Sequence, residues 1–157
     1  MAKLIKEPHV SSELIEIDNE IIPLKELADK ELASIYGLTG MVYTPHIDAY
    51  MKVSVKRAEI LACLKNQGIL PLSEVERIST ILDSQHKRAK HNATVEYNGK
   101  QYKRKLSPLK LSKSGKVVHK WARFWLLQMS EGRAEPLWEK EVREIWPTYF
   151  LIRTIDL

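Results

Sequence analysis

The sequence has a single cysteine, few glycines and prolines, and no long hydrophobic run. Because Cys63 has no second cysteine to pair with, a disulfide framework and a cysteine-rich zinc site are both excluded. With 6 glycines, 7 prolines and 44% hydrophobic residues, the composition excludes a disordered or fibrous chain. The N-terminus lacks an apolar signal core, and no stretch approaches the roughly 18 apolar residues of a membrane span. We expect a cytoplasmic protein, or a nuclear one if its source has a nucleus, with no membrane partner.

A chain of 157 residues has the length of one compact domain. We therefore predict a single domain over residues 1–157. Within it, a helical part and a basic hairpin occupy 24–105, and aromatic-rich helices with a terminal strand at 117–157 pack on them. The expected fold class is α+β, with about five helices and a small antiparallel sheet.

Positive charge is concentrated in the middle of the chain. Residues 84–123 contain 12 lysines and arginines and a single acid, Glu96, whereas the whole chain has a net charge of only +5. Such a local excess of cations steers polyanions toward one part of a protein. The distribution therefore points to phosphate-bearing or acidic partners.

Helical periodicity and helix-terminal residues predict the helices. Pro23 and Gly37 bound the first, and Thr44-Pro45 starts the second. Ser73 and Glu76 have the spacing of a capping box for the third. The predicted helices are 24–36, 45–66, 74–90, 117–132 and 136–146.

Strand signals are fewer. Asn98-Gly99, between Thr94–Tyr97 and Lys100–Lys105, predicts a two-residue hairpin in which Tyr97 pairs with Lys100. We predict a short strand or loose hairpin at 14–22, a basic loop at 107–116, and an interior strand at 148–155.

The order of three helices and a basic hairpin resembles that of winged-helix DNA-binding domains, over the first two thirds of the chain. The helix end and the hairpin would then contact the phosphate backbone of DNA or RNA. The candidate nucleic-acid-binding residues are Lys87, Arg88, Lys90, Lys100, Lys103, Arg104, Lys105, Lys110, Lys113, Lys116 and Tyr97.

Two other interpretations of the lysines stay open. Edge strands often carry lysines that block aggregation, so the hairpin charge can be a solubility device. The same surface can also dock an acidic protein, which would make this chain an adaptor or inhibitor. Three nearby rings, Tyr97, Tyr102 and Trp121, favour nucleic acid, because base stacking complements phosphate binding. The tyrosine rings can equally belong to the core.

No catalytic or metal site is predicted. The histidines lack the one-turn spacing of a metal pair: they are His9, His46, His86, His91 and His119. Cys63 has no adjacent histidine, and Glu96 with Asp83 is an incomplete acid set for a nuclease, which is our third hypothesis. We therefore expect no cofactor and no metal, and predict a non-enzymatic nucleic-acid-binding protein in a regulatory or accessory role.

Overall fold

The computed structural model describes residues 9–38 and 42–152, which divide into two compact units. One unit comprises the described residues up to 71, and the other those from 72 onward. The described part contains four α-helices, one short 3-10 helix and a three-stranded antiparallel sheet. The predicted α+β class is confirmed. The single-domain organisation stays a prediction.

The first unit consists of two long helices, α1 (Ser11–Ile35) and α2 (Pro45–Asn66). Ile17 of α1 is buried with Ile60 and Leu64 of α2, and partly buried hydrophobic residues pack against these three. Asp18 and Arg57 form an ion pair between the two helices, with Oδ1 and Nε 2.5 Å apart. Apolar burial and this ion pair hold the unit together.

Helix α1 corrects the prediction for the N-terminal region. The strand or hairpin expected at 14–22 and the helix start at Pro23 were both wrong, because one helix runs through Pro23. Buried and half-buried residues recur every three or four positions across the proline. They are Leu14, Ile17, Ile21, Leu24, Ala28, Glu31 and Ile35. This continuous stripe, packed on α2, outweighs the backbone hydrogen bond that an interior proline removes.

The second unit begins with α3 (Glu74–Gln85). The predicted capping box is present: Glu76 N donates to Ser73 Oγ at 3.2 Å, and Ser73 N donates to the Glu76 carboxylate. The helix ends at Gln85, five residues before the predicted end, because His86 leaves the helical conformation with a φ of −131°.

Three strands follow, β1 (Thr94–Tyr97), β2 (Lys100–Leu111) and β3 (Val118–Leu127), in the sheet order β1-β2-β3. The predicted hairpin is confirmed with its register, since Tyr97 pairs with Lys100. Asn98 and Gly99 both have positive φ angles, 53° and 79°, as a two-residue type I′ turn requires.

Strand β3 replaces the helix predicted at 117–132. Trp125 on one sheet face and both Phe124 and Leu126 on the other are buried. A strand covered on both faces has no alternation of apolar and polar residues, so its apolar run resembles a buried helix. The helix predicted at 117–132 was therefore wrong.

The basic loop predicted at 107–116 was also wrong in part, because β2 continues to Leu111. Helix α4 (Pro136–Ile145) matches its prediction and is followed by a 3-10 helix at Pro147–Phe150. That 3-10 helix occupies the start of the strand predicted at 148–155. The end of that prediction, 153–155, lies outside the described residues.

Aromatic side chains dominate the core of the second unit. The Trp138 indole N–H donates to Trp125 O at 2.9 Å, and the Tyr102 and Trp138 rings lie 5.3 Å apart between centroids. The buried core residues are Val75, Leu82, Tyr102, Phe124, Trp125, Leu126, Trp138 and Val142. This core sets the position of the sheet and of the turn that follows α3.

Candidate functional site

The turn at 86–93, between α3 and β1, carries three of the predicted site residues. They were expected on the last turns of α3, but all three are exposed beyond its end. They are Lys87, Arg88 and Lys90. The backbone N–H of Leu106 donates to His91 Nδ1 at 3.0 Å, and the Arg104 N–H donates to Ala93 O at 2.8 Å. These bonds hold the turn along β2.

The hairpin carries the next predicted residues on two different sheet faces. Lys100 is exposed beside the turn, opposite Tyr97, whose half-buried ring packs against the core. Lys103 and Lys105 are half-buried on the other face, where the Lys105 ammonium donates to the Asn92 side chain at 2.8 Å. The alternation of side chains along a strand produces this division.

Arg104 is the buried member of the predicted set. Its side chain is 2% exposed, its Cζ lies 4.1 Å from the Trp125 ring centroid, and its Nη2 lies 2.9 Å from Asp83 Oδ1. Among the described residues, its Nε and Nη1 have no hydrogen-bond partner. A guanidinium enclosed in this way cannot reach a phosphate outside the protein, so we leave Arg104 out of the candidate interface.

The far end of β2 and β3 forms an arm, which we define as residues 106–123. Three predicted residues, Lys110, Lys113 and Lys116, are exposed on it. Lys110 and Lys120 are cross-strand partners in the β2–β3 register, between two irregularities of the ladder. Like charges on paired strand residues repel each other, so this pair has an electrostatic cost.

Three arm residues were missing from the predicted site. Lys120, Trp121 and Arg123 are exposed on β3, and the Trp121 side chain remains 48% exposed. The helix predicted for this segment distributes side chains with a period of about 3.6 residues, so it did not separate these three outward-pointing side chains from the buried ones. A strand assignment, suggested by its β-branched and aromatic residues, would have pointed alternate side chains outward.

No acidic residue occurs in the sequence between Glu96 and Glu131. We use the term basic set for the cations of 87–123 other than Arg104, all exposed or half-buried. The basic set is Lys87, Arg88, Lys90, Lys100, Lys103, Lys105, Lys110, Lys113, Lys116, Lys120 and Arg123. Among residues 9–38 and 42–152, no carboxylate forms an ion pair with any member. The positive potential of this region is therefore not neutralised within the described structure.

A small open cleft of about 230 Å³ lies elsewhere in the second unit, between α3, α4 and the start of β2. Tyr102, Trp138 and Leu127 line its apolar wall, and three carboxylates line its rim: Glu74, Glu135 and Glu141. Burial, the Glu74 carboxylate and Tyr97 raise the pKa of the Tyr102 hydroxyl above its usual value. The Glu135 carboxylate accepts a hydrogen bond from the backbone N–H of Trp138 at 2.7 Å and so caps α4.

One of the two acids considered for catalysis, Asp83, has structural partners. Asp83 Oδ1 accepts the Trp125 indole N–H at 2.9 Å and also binds Arg104. Within the described ranges, no group of three or more His, Cys, Asp or Glu side chains is arranged to hold a metal ion. In the same part of the chain, no helix combines the length and hydrophobicity that a bilayer crossing requires.

Comparisons with protein families, with curated proteins and with solved structures found no match to this chain.

Proposed function

We propose that the second unit binds nucleic acid, without catalysis, through phosphate contacts made by the basic set. The support is electrostatic. The eleven cations lie on the turn at 86–93, on the small sheet and on the turn that joins β2 to β3, and no described carboxylate pairs with them. Phosphate groups are the common biological anions that repeat along a chain, and they release counterions when they bind such a group.

The observation that carries this proposal is the opposed pair Lys110 and Lys120. Solubility explains one lysine on an edge strand. A second lysine opposite the first adds repulsion, and a single lysine would already provide the solubility. An anion bound between them offsets that repulsion. Lys113 and Lys116, in the adjoining turn, add to the local potential.

The phosphate contacts are assigned to the turn and the arm rather than to a recognition helix. Helix α3 is followed by the basic hairpin, in the order that a winged-helix domain would have. It ends at Gln85, however, before the first cation of the basic set. The proposal therefore retains the winged-helix-like order of elements and assigns backbone contacts to the cations beyond the helix.

Fluorescence anisotropy tests the proposal with labelled duplex DNA, single-stranded DNA and RNA over a range of salt concentrations. The key variant is Lys110→Glu/Lys120→Glu. Binding should weaken for all three ligands. The slope of log K against log salt should fall in magnitude by about 1.4 for single strands and about 1.8 for duplex, because two phosphate contacts are lost.

The matched control is Lys25→Glu/Lys52→Glu, which changes the net charge equally by reversing two exposed lysines of the first unit. It should change affinity by less than about twofold, since screened charges outside the site contribute little. An equal loss in both double variants, or no binding by the unmodified protein at low salt, overturns the proposal. Saturable binding to an acidic protein in that second case would identify an adaptor.

A further inference from the structure

We infer that Trp121 is a stacking platform for an unpaired base, so that the arm binds single-stranded nucleic acid more tightly than duplex. This inference rests on the proposed function and names its ligand class. Trp121 is the only tryptophan among the described residues whose side chain is classed as exposed, at 48%.

The sheet register explains why this ring is uncovered. Alternate residues of β3 share one face, so Trp121, Arg123 and Trp125 point to the same side. Exposure on that side rises along the strand, from 0% at Trp125 to 48% at Trp121. The core ends near Arg123, and the arm extends beyond it.

The residues beside Trp121 fit a nucleotide. Pro108 is its cross-strand partner on β2, and Arg123 lies two residues away on the same face. The Arg123 guanidinium donates to Lys87 O at 3.3 Å, which brings the turn at 86–93 close to the arm. The Trp121 indole and the Arg123 guanidinium therefore lie on the same side of the sheet, next to the backbone of Lys87, where a base can stack and a phosphate can bind.

A lone exposed apolar residue is ordinary on a protein surface and would carry no ligand. Trp121 differs because Lys120 precedes it and Arg123 follows closely, with no acid nearby in the sequence. This charge complementarity selects a polyanion over an apolar protein partner. An apolar partner would have to desolvate these cations without neutralising them.

The exposed ring also selects single strands over duplexes. In a duplex each base face is already stacked on its neighbours, so an indole can stack only on an unpaired or splayed base. Base reading in a duplex commonly uses a helix in the major groove, and α3 ends before the cations begin.

The test compares Trp121→Ala, Trp121→Phe and the unmodified protein on labelled oligothymidylate of about 20 nucleotides, which exceeds the roughly 4 to 16 nucleotides of a small single-strand site. A duplex of the same length is the second ligand. Trp121→Ala should weaken single-strand binding by about 5- to 150-fold and duplex binding by less than about twofold. Trp121→Phe, which keeps a ring, should retain most of the affinity.

Tyr43→Ala is the matched control, because it removes an aromatic ring that is 85% exposed in the first unit. It should leave both affinities unchanged. Equal effects of Trp121→Ala on both ligands, or no effect on either, overturn the stacking inference while the proposed function stands. If the unmodified protein binds neither ligand, the proposed function fails as well. If Trp121→Ala does not fold, Trp121→Phe tests the stacking inference instead. This variant still has an aromatic ring at 121, so loss of its single-strand binding would contradict stacking on that ring.

Discussion

The guanidinium of Arg104 lies over the indole of Trp125, with its Cζ 4.1 Å from the ring centroid, and both side chains bind the same carboxylate oxygen of Asp83. Trp125 is completely buried and Arg104 is 2% exposed. This three-residue cluster joins α3 to the centre of the sheet. It also explains why one cation of the basic region is not at the surface.

Replacing Asp83 with alanine should destabilise the second unit strongly. Breaking a buried ion pair costs about 3 to 5 kcal/mol, because the remaining charge is left unpaired. The Asp83 side chain is 55% exposed, so water partly replaces it. We expect the free energy of unfolding to fall by about 2 to 3 kcal/mol. All four tryptophans lie in this unit, so tryptophan fluorescence during urea denaturation reports its unfolding.

The control for that prediction is the exposed pair Glu139 and Arg143 on α4, whose charged atoms are 3.6 Å apart. Glu139→Gln should cost less than about 0.5 kcal/mol, as expected for an exposed helical pair. Similar losses in Asp83→Ala and Glu139→Gln would contradict the structural importance of the buried cluster.

Replacing Pro23 with alanine should stabilise the first unit. Proline inside a helix is unfavourable by up to about 3 kcal/mol relative to alanine, so we expect a gain of about 1 to 3 kcal/mol and an increase in helicity. Far-UV circular dichroism during urea denaturation measures both. Pro45→Ala, at the first turn of α2, is the control and should change stability little. Reduced helicity in Pro23→Ala would indicate that α1 begins at Pro23 after all.

Removing the Glu31 carboxylate should destabilise the start of α2. Its two oxygens accept the backbone N–H groups of His46 at 3.1 Å and Ile47 at 3.0 Å. Glu31→Ala leaves both donors without this acceptor, and we expect a loss of about 1 to 2 kcal/mol by circular dichroism. Glu20→Ala, which removes an exposed carboxylate of the same helix, should have a much smaller effect. Matching losses would argue against the cap.

Stability of the second unit should fall at alkaline pH. The usual pKa of a tyrosine hydroxyl is 10.0. Burial and the Glu74 carboxylate raise the pKa of Tyr102, and burial and the Asp83 carboxylate raise the pKa of Tyr149. The unfolded chain therefore releases these protons at lower pH than the folded chain. The stabilisation is complete below about pH 9 and decreases as the pH rises through 10 and beyond, by at most about 1.4 kcal/mol per pH unit for each tyrosine.

Tyr102→Phe should reduce this alkaline decrease, which urea denaturation at a series of pH values measures. Phenylalanine cannot ionise, so the difference between variant and unmodified protein should be constant below about pH 9 and change only above it. A variant that follows the unmodified protein in parallel up to about pH 11 would contradict the role of the buried hydroxyl.

The candidate site was predictable where local chemistry determines conformation. Asn98-Gly99 specifies a type I′ turn, and that turn sets which residues of the hairpin oppose each other. The lysines at 110, 113 and 116 are exposed, as a phosphate contact requires, because charged side chains remain in water unless paired. Arg104 was an exception, since its burial depends on Asp83 and Trp125, which are distant in sequence.

The sequence by itself determined the helix starts at Glu74 and Pro136, the hairpin turn and the concentration of charge at 84–123. Each depends on neighbouring residues only. Tertiary structure alone decided that α1 continues through Pro23 and that 118–127 is a strand. Packing against α2 outweighs the helix-breaking effect of Pro23. Because both faces of the sheet are covered near Trp125, β3 lacks the alternation of apolar and polar residues that identifies a strand. Without the strand assignment, the exposure of Trp121 among cations could not be predicted.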